Sequence, residues 1–213
     1  MSQAISDFPV TTRKKFGLRW LIVGVLLLGL VSWIGYDLLA TRQTSLREFD
    51  AREVASLETA MWRSYYDKER VKLFGQLAEL LRKQYRLPFW RSAVVAYHAG
   101  KAAFVFKGGH TRSDYEKALP DLVQYYQAIR AVSDRTFDVH QVAQRELEWW
   151  IIHRERNKYS RADLDRSLAE LPAAIYQLPV EKFAEHARLR AEAMVLRDTK
   201  ADQGGVTEAD WQR

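Results

Sequence analysis

Residues 16–36 read FGLRWLIVGVLLLGLVSWIGY, an apolar run whose single charge, Arg19, stands one turn from its start. At about 1.5 Å of rise per residue, a helix of this length spans roughly 30 Å, the thickness of a bilayer's hydrocarbon core. Trp20 lies near one end and Trp33 and Tyr36 near the other, where aromatic rings settle at the two headgroup layers. A cleaved secretory signal would have a shorter apolar region and small residues before the cut. Here Leu38-Leu39-Ala40 puts leucine where a small side chain is needed, so residues 16–38 are expected to be an uncleaved signal anchor that spans a membrane once. Arg13, Lys14, Lys15 and Arg19 flank it upstream against Arg42, Arg47 and Arg52 downstream. This excess of one basic residue makes residues 1–15 the expected cytoplasmic tail. The rest of the chain is then expected outside the cytoplasm, in the periplasm if the source is bacterial.

Beyond the anchor, the composition suits a folded body. Across the chain, 47% of residues are hydrophobic and 12% aromatic, enough for a packed core. Positions 1–39 hold four basic and two acidic residues, which leaves 29 against 25 in the remainder. So near a balance carries no footprint for nucleic acid, despite the formal charge of +6. With no cysteine, the chain has no disulfide, thiolate metal site, c-type haem attachment or cysteine nucleophile.

The periodicity is helical throughout. Leu46, Phe49, Val54, Leu57, Met61, Trp62 and Tyr65 recur at three and four, and the rhythm resumes with Phe74, Leu77, Leu81 and Tyr85. Residues 39–87 are therefore one long amphipathic helix or two abutting ones bent near 67–70. Pro88 opens a helix that runs to Gly108-Gly109. Ser113 to Glu116 has the spacing of a capping box and predicts a helix to Val132, with Pro120 inside it. Asp138 and Ser160 cap the next two, the second reaching Leu178 across Pro172. Further helices are expected from Val180 to Thr199 and from Thr207. No alternating strand pattern occurs, so the fold class is all-α: a membrane-spanning helix, then antiparallel helical hairpins over 88–213, as a solenoid or an irregular bundle.

Ser167, Leu171, Ala174 and Pro179 follow a small, large, small, proline spacing. Phe183 with Ala187, and Ala96 with Gly100, pair a first-helix residue with a small one four positions on. In this respect residues 88–213 resemble degenerate tetratricopeptide repeats, and the resemblance implies stacked helical hairpins and a protein-binding surface. Tyr125 and Ala128 fit the pattern. Asp121 and Ser133 depart from it, standing where a small residue and a proline belong.

Reactive side chains are densest in ELEWWIIHRER, residues 146–156. No Glu-x-x-His pair, HExxH, GxSxG, phosphate loop or GxGxxG is present anywhere. Glu146 and His153 share one helical stripe with a tryptophan between them. Glu58 and Lys101 stand on otherwise apolar stripes of other helices, and an unpaired buried charge is costly. Glu58, Lys101, Glu146 and His153, with His98, are thus candidates for an internal polar network. Such a network either fixes helix register or forms a metal, haem or acid/base site; the former is the simpler reading. The expected function is non-enzymatic: a membrane-anchored scaffold or assembly module that binds protein partners. No cofactor, metal, nucleic acid or small-molecule substrate is implied. The alternative is an accessory subunit of a larger membrane complex.

Overall fold

The computed structural model describes residues 16–39 and 43–211. The expected cytoplasmic tail, 1–15, lies outside the described residues, as does Arg42. The chain divides into two units, one ending at Leu39 and the other beginning at Ala40. The first contains α1, Phe16–Leu39, long and apolar enough to cross a membrane. Its apolar side chains, among them Leu18, Leu26, Leu28 and Val31, are largely exposed. Trp20, Trp33 and Tyr36 are 61%, 50% and 69% exposed.

The second unit is all helix among the described residues, apart from one isolated bridge between Thr44 and Ser133. Asp50 starts α2, Ala51–Tyr66, by accepting from the amides of Arg52 and Glu53. Lys68, at φ 61°, then turns the chain into α3, Arg70–Tyr85. The break expected near 67–70 is thus a left-handed residue between two helices. Pro88 lies just before α4, Phe89–Gly108. A side chain at Gly109 would meet Asp114 and Tyr115 at 2.9 Å, so only glycine lets the turn close.

One helix was expected from 113 to 132, but the chain makes two. Thr111, not Ser113, caps the short α5, Arg112–Glu116, in a reciprocal capping box with Asp114. The next helix, α6, restarts at Leu119–Val132 with Pro120 in its first turn. Proline lacks an N–H and its ring clashes with the turn before it, so it starts a helix better than it continues one. Asp138 caps α7, Val139–Arg154, and a Ser160–Asp163 box caps α8, Arg161–Tyr176. Past Pro179, a single 3-10 turn at Val180–Phe183 leads into α9, Ala184–Asp202. Gly204 and Gly205 take positive φ before the terminal α10, Glu208–Trp211.

From α2 to α9 the helices pack as an ordered array, α2 on α3, α3 on α4, α4 on α6, and then each on the next. Leu81, Val95, Leu122, Ile129, Val142 and Ile151 are buried in the main core. A second core joins Trp149, Ile152, Leu164 and Leu168 to Ala187 and Ala191 of α9. Each large side chain so buried contributes about 1.5–3 kcal/mol. Ala96 and Ala187 are fully buried, letting their helices approach closely.

The segment before α2 is fastened to this array. Thr44 donates its amide to Val132 O at 2.7 Å and accepts from the Asp134 amide at 3.0 Å. Leu46 is fully buried in the main core, and Arg47 donates to Tyr176 O.

Candidate interaction site

Glu58, Trp62, Tyr65 and Tyr66 recur at three and four along α2 and so share one face. That face meets the later helices of the array. Arg190 of α9 pairs with Glu58 at 2.6 Å, and Trp62 Nε1 donates to the same carboxylate at 3.4 Å. Lys107 at the end of α4 sits 5.2 Å from the Tyr65 ring centre, and Arg197 of α9 lies over Tyr66. Arg63 pairs with Glu208 at 2.7 Å, while Tyr66 packs near Trp211. Rings supply area and cations supply direction, so α2 is held in one register across the array.

Arg190 also neighbours Glu146 of α7. Glu146 accepts from Tyr126 OH and from Trp150 Nε1, each at 2.8 Å. Burial pushes its carboxyl above the ordinary range, and Tyr126, Arg190 and the two tryptophans offset only part of that. The Tyr126 and Tyr125 hydroxyls are raised by burial and by the nearby Glu146 charge. Arg190 links the two carboxylates: it pairs with Glu58, lies over the Trp149 ring at 5.5 Å and holds down the Glu146 carboxyl. His186, one helical turn earlier on α9, is kept below its ordinary value by burial and then by Arg190, with Glu58 opposing.

The other candidates lie elsewhere. His98 Nδ1 and Lys101 Nζ converge on Asp121 of α6 at 2.9 and 3.0 Å. Asp121 is only 6% exposed; burial raises its carboxyl, and His98 and Lys101 together outweigh that and lower it. Lys101 itself is half exposed, so it caps a buried acid from the surface. His153 Nε2 stands 3.3 Å from Asp198 of α9, close enough to pair but not in hydrogen-bond alignment. Arg156 at 2.6 Å and Arg197 at 3.0 Å complete that acid's surroundings. Burial pushes the Asp198 carboxyl up, yet His153, Arg197 and Arg156 prevail and hold it at about 2.

The five expected residues therefore occupy three places. Glu58 and Glu146 meet through Arg190, His98 and Lys101 through Asp121, and His153 joins neither group. Arg190, Asp121, Asp198 and Tyr126 went unforeseen. A visible cue existed for Asp121, a carboxylate where the repeat spacing wants a small residue. Arg154, exposed at the end of α7, donates to the carbonyls of Phe106 and Lys107 and stacks on Phe106 and Tyr115. Adjacent Trp149 and Trp150 point their rings edge to face, 6.1 Å apart, and serve different sides of α7.

These sites are pairings of opposite charge, and among the described residues no group of three or more His, Asp or Glu side chains could hold a metal ion. Outside them, an open groove of about 640 Å³ runs between α5, α7 and α8. Gln141, Gln144, Arg145, Glu148, Ser167 and Glu170 line it. Two cross-links brace its walls, Arg112 to Glu148 and Arg145 to Glu170. Compared with family models, with curated proteins and with solved structures, the chain finds no match.

Proposed function

We propose that this chain is a membrane-anchored helical interaction module, non-enzymatic, which presents its array to a protein partner as a scaffold or assembly factor. The carrying observation is the groove between α5, α7 and α8, polar, open and braced by ion pairs. Its alternating amides, carboxylates and guanidiniums suit an extended polar segment of another protein better than a small apolar ligand. A tetratricopeptide-like reading of residues 88–213 accords with this, supported by full burial of Ala187 at the expected small position. In this reading α1 spans the membrane once and the N-terminus is cytoplasmic, on the strength of the basic residues before it. The test is a photo-crosslinking residue at Gln144 or Gln141 of the full chain in its native membrane. A discrete protein adduct from these positions, lost when Glu148 and Glu170 are both changed to lysine, supports the module. Absence of any adduct from either position refutes it. A reporter enzyme fused after Arg213 tests the orientation, and cytoplasmic activity reverses it.

A further inference from the structure

The charge of the body is not spread evenly. Residues 70–108, the hairpin of α3 and α4, carry Arg70, Lys72, Arg82, Lys83, Arg86, Arg91, Lys101 and Lys107 against the single acid Glu79. The remainder of the body is therefore slightly acidic. On the same hairpin, Val71 is 88% exposed, Tyr97 56%, Val94 47%, Phe104 46% and Phe74 42%. Val94, Tyr97, Lys101 and Phe104 recur at three and four and so form one stripe of α4, as Val71, Phe74, Gly75 and Ala78 do on α3. The Arg70 guanidinium lies over Phe104 and that of Arg82 over Phe89, which aligns the two helices with cations set among the rings. Lys72, Lys83, Arg86 and Lys101 pair with Glu69, Glu53, Glu48 and Asp121, and Arg91 is buried, so the cations set among the exposed rings are Arg70 and Arg82. Exposed rings carrying arginines, in a chain with an apolar span, match the chemistry of an anionic membrane interface.

The stretch of chain between α1 and the body is short. Only residues 40–43 separate the end of α1 at Leu39 from Thr44, which is hydrogen-bonded into the body. Five residue steps extend at most roughly 18 Å. Thr44 enters beside the closed end of the hairpin, its hydroxyl 3.5 Å from Tyr85 O, and Arg86 pairs with Glu48 next to it.

We infer that the α3–α4 hairpin docks its exposed aromatic and basic face onto the anionic surface of the membrane that anchors the chain. The inference rests on the reading of α1 as a membrane span. Docking lays the hairpin on the headgroups, with Tyr97, Phe104, Phe74 and Val71 in the interface and Arg70 and Arg82 against lipid phosphates. The rest of the array, including the groove between α5, α7 and α8, is left for a protein.

The chain has no cysteine, so a single one can be introduced and labelled with a polarity-sensitive fluorophore. Full chains with Tyr97→Cys or, as a control on α7, Gln144→Cys are placed in nanodiscs of phosphatidylcholine alone or with a third phosphatidylglycerol. Co-flotation with vesicles of each lipid is read separately. In anionic discs, the label at 97 should be quenched by headgroup-depth spin-labelled lipid at least threefold more than the label at 144. In neutral discs, or in high salt, that difference should fall. Each basic residue at an anionic surface is worth about a fivefold factor, so Arg70→Glu with Arg82→Glu should cut the docked-to-free ratio by at least roughly 25-fold. Val71→Glu, at a side chain that packs against almost nothing, gives a second variant that leaves the fold alone. Equal quenching at 97 and 144 in every lipid, in chains that still co-float, overturns the docking and leaves the anchor standing. Chains that fail to co-float overturn both. A label at 97 shielded from water in native membranes but not in anionic discs assigns the face to a protein and also overturns the inference.

Discussion

Replacing Asp198 with asparagine tests the charge pairing that joins α7 to α9. Asp198 is 15% exposed and faces His153, Arg156 and Arg197. Its carboxyl is held at about 2 against 3.8 for an unperturbed side chain. A shift of that size corresponds to about 2 kcal/mol of folding stability. Because the folded value is depressed, this stability is present in full above the unfolded value. It falls to roughly 1 kcal/mol near pH 3 and disappears below the folded value. At pH 7, Asp198→Asn should thus lower the midpoint of thermal unfolding of the body by about 4–8 °C, followed by far-UV circular dichroism of the full chain in detergent. At pH 3 the gap between variant and parent should be about half as large. A variant within 1 °C of the parent at pH 7, or a gap that does not shrink on acidification, would refute the account of Asp198 as the pairing centre of that contact.

Four further outcomes follow from the contacts described. Glu146→Ala strands the Tyr126 hydroxyl and the Trp150 indole N–H, and should cost about 2–5 kcal/mol in chemical denaturation. Glu146→Gln should show the opposite pH trend to Asp198→Asn. The Glu146 carboxyl is raised, so its contribution is complete below its unfolded value and fades as pH rises through the folded one. The deficit of the glutamine variant should therefore be larger at pH 4 than at pH 7, and a constant deficit contradicts the raised carboxyl. Arg190→Ala removes the partner of Glu58 and the cation over Trp149, so amide exchange across residues 51–66 should quicken about tenfold while α8 changes little. Leu46→Ala empties a fully buried site before α2 and should cost about 3–5 kcal/mol; a loss under 1 kcal/mol would show that the segment is not part of the core.

Local physics made the helices readable and long-range pairing made the site hard to read. The caps at Asp138 and Ser160, the break at 67–70 and the stop at Gly108-Gly109 follow from side chains acting on their own backbone. Residue order alone therefore locates them. Thr111 was missed in favour of Ser113 because both can begin a capping pattern, and Pro120 settles which helix each residue serves. For the polar candidates, stripe position identified Glu58 and Glu146 as residues needing partners. It could not name Arg190, whose nearest sequence cue is a charge between Ala187 and Ala191 on α9. Asp121 and Ser133, the two departures from the repeat spacing, are the positions where this chain makes its own contacts: one takes His98 and Lys101, the other pairs with Thr44.

The bridge at Thr44 also decides how the body bears load. A pull transmitted along the chain from the anchor reaches the Thr44 amide, bonded to Val132 O, before it reaches Asp50 and α2. Tension therefore enters the array at the junction of α6 and α7 and is shared with the buried Leu46 side chain. The helix that binds Arg190 and Arg197 lies beyond that junction, so a pull applied before residue 44 loads the Thr44–Val132 bond before it loads α2.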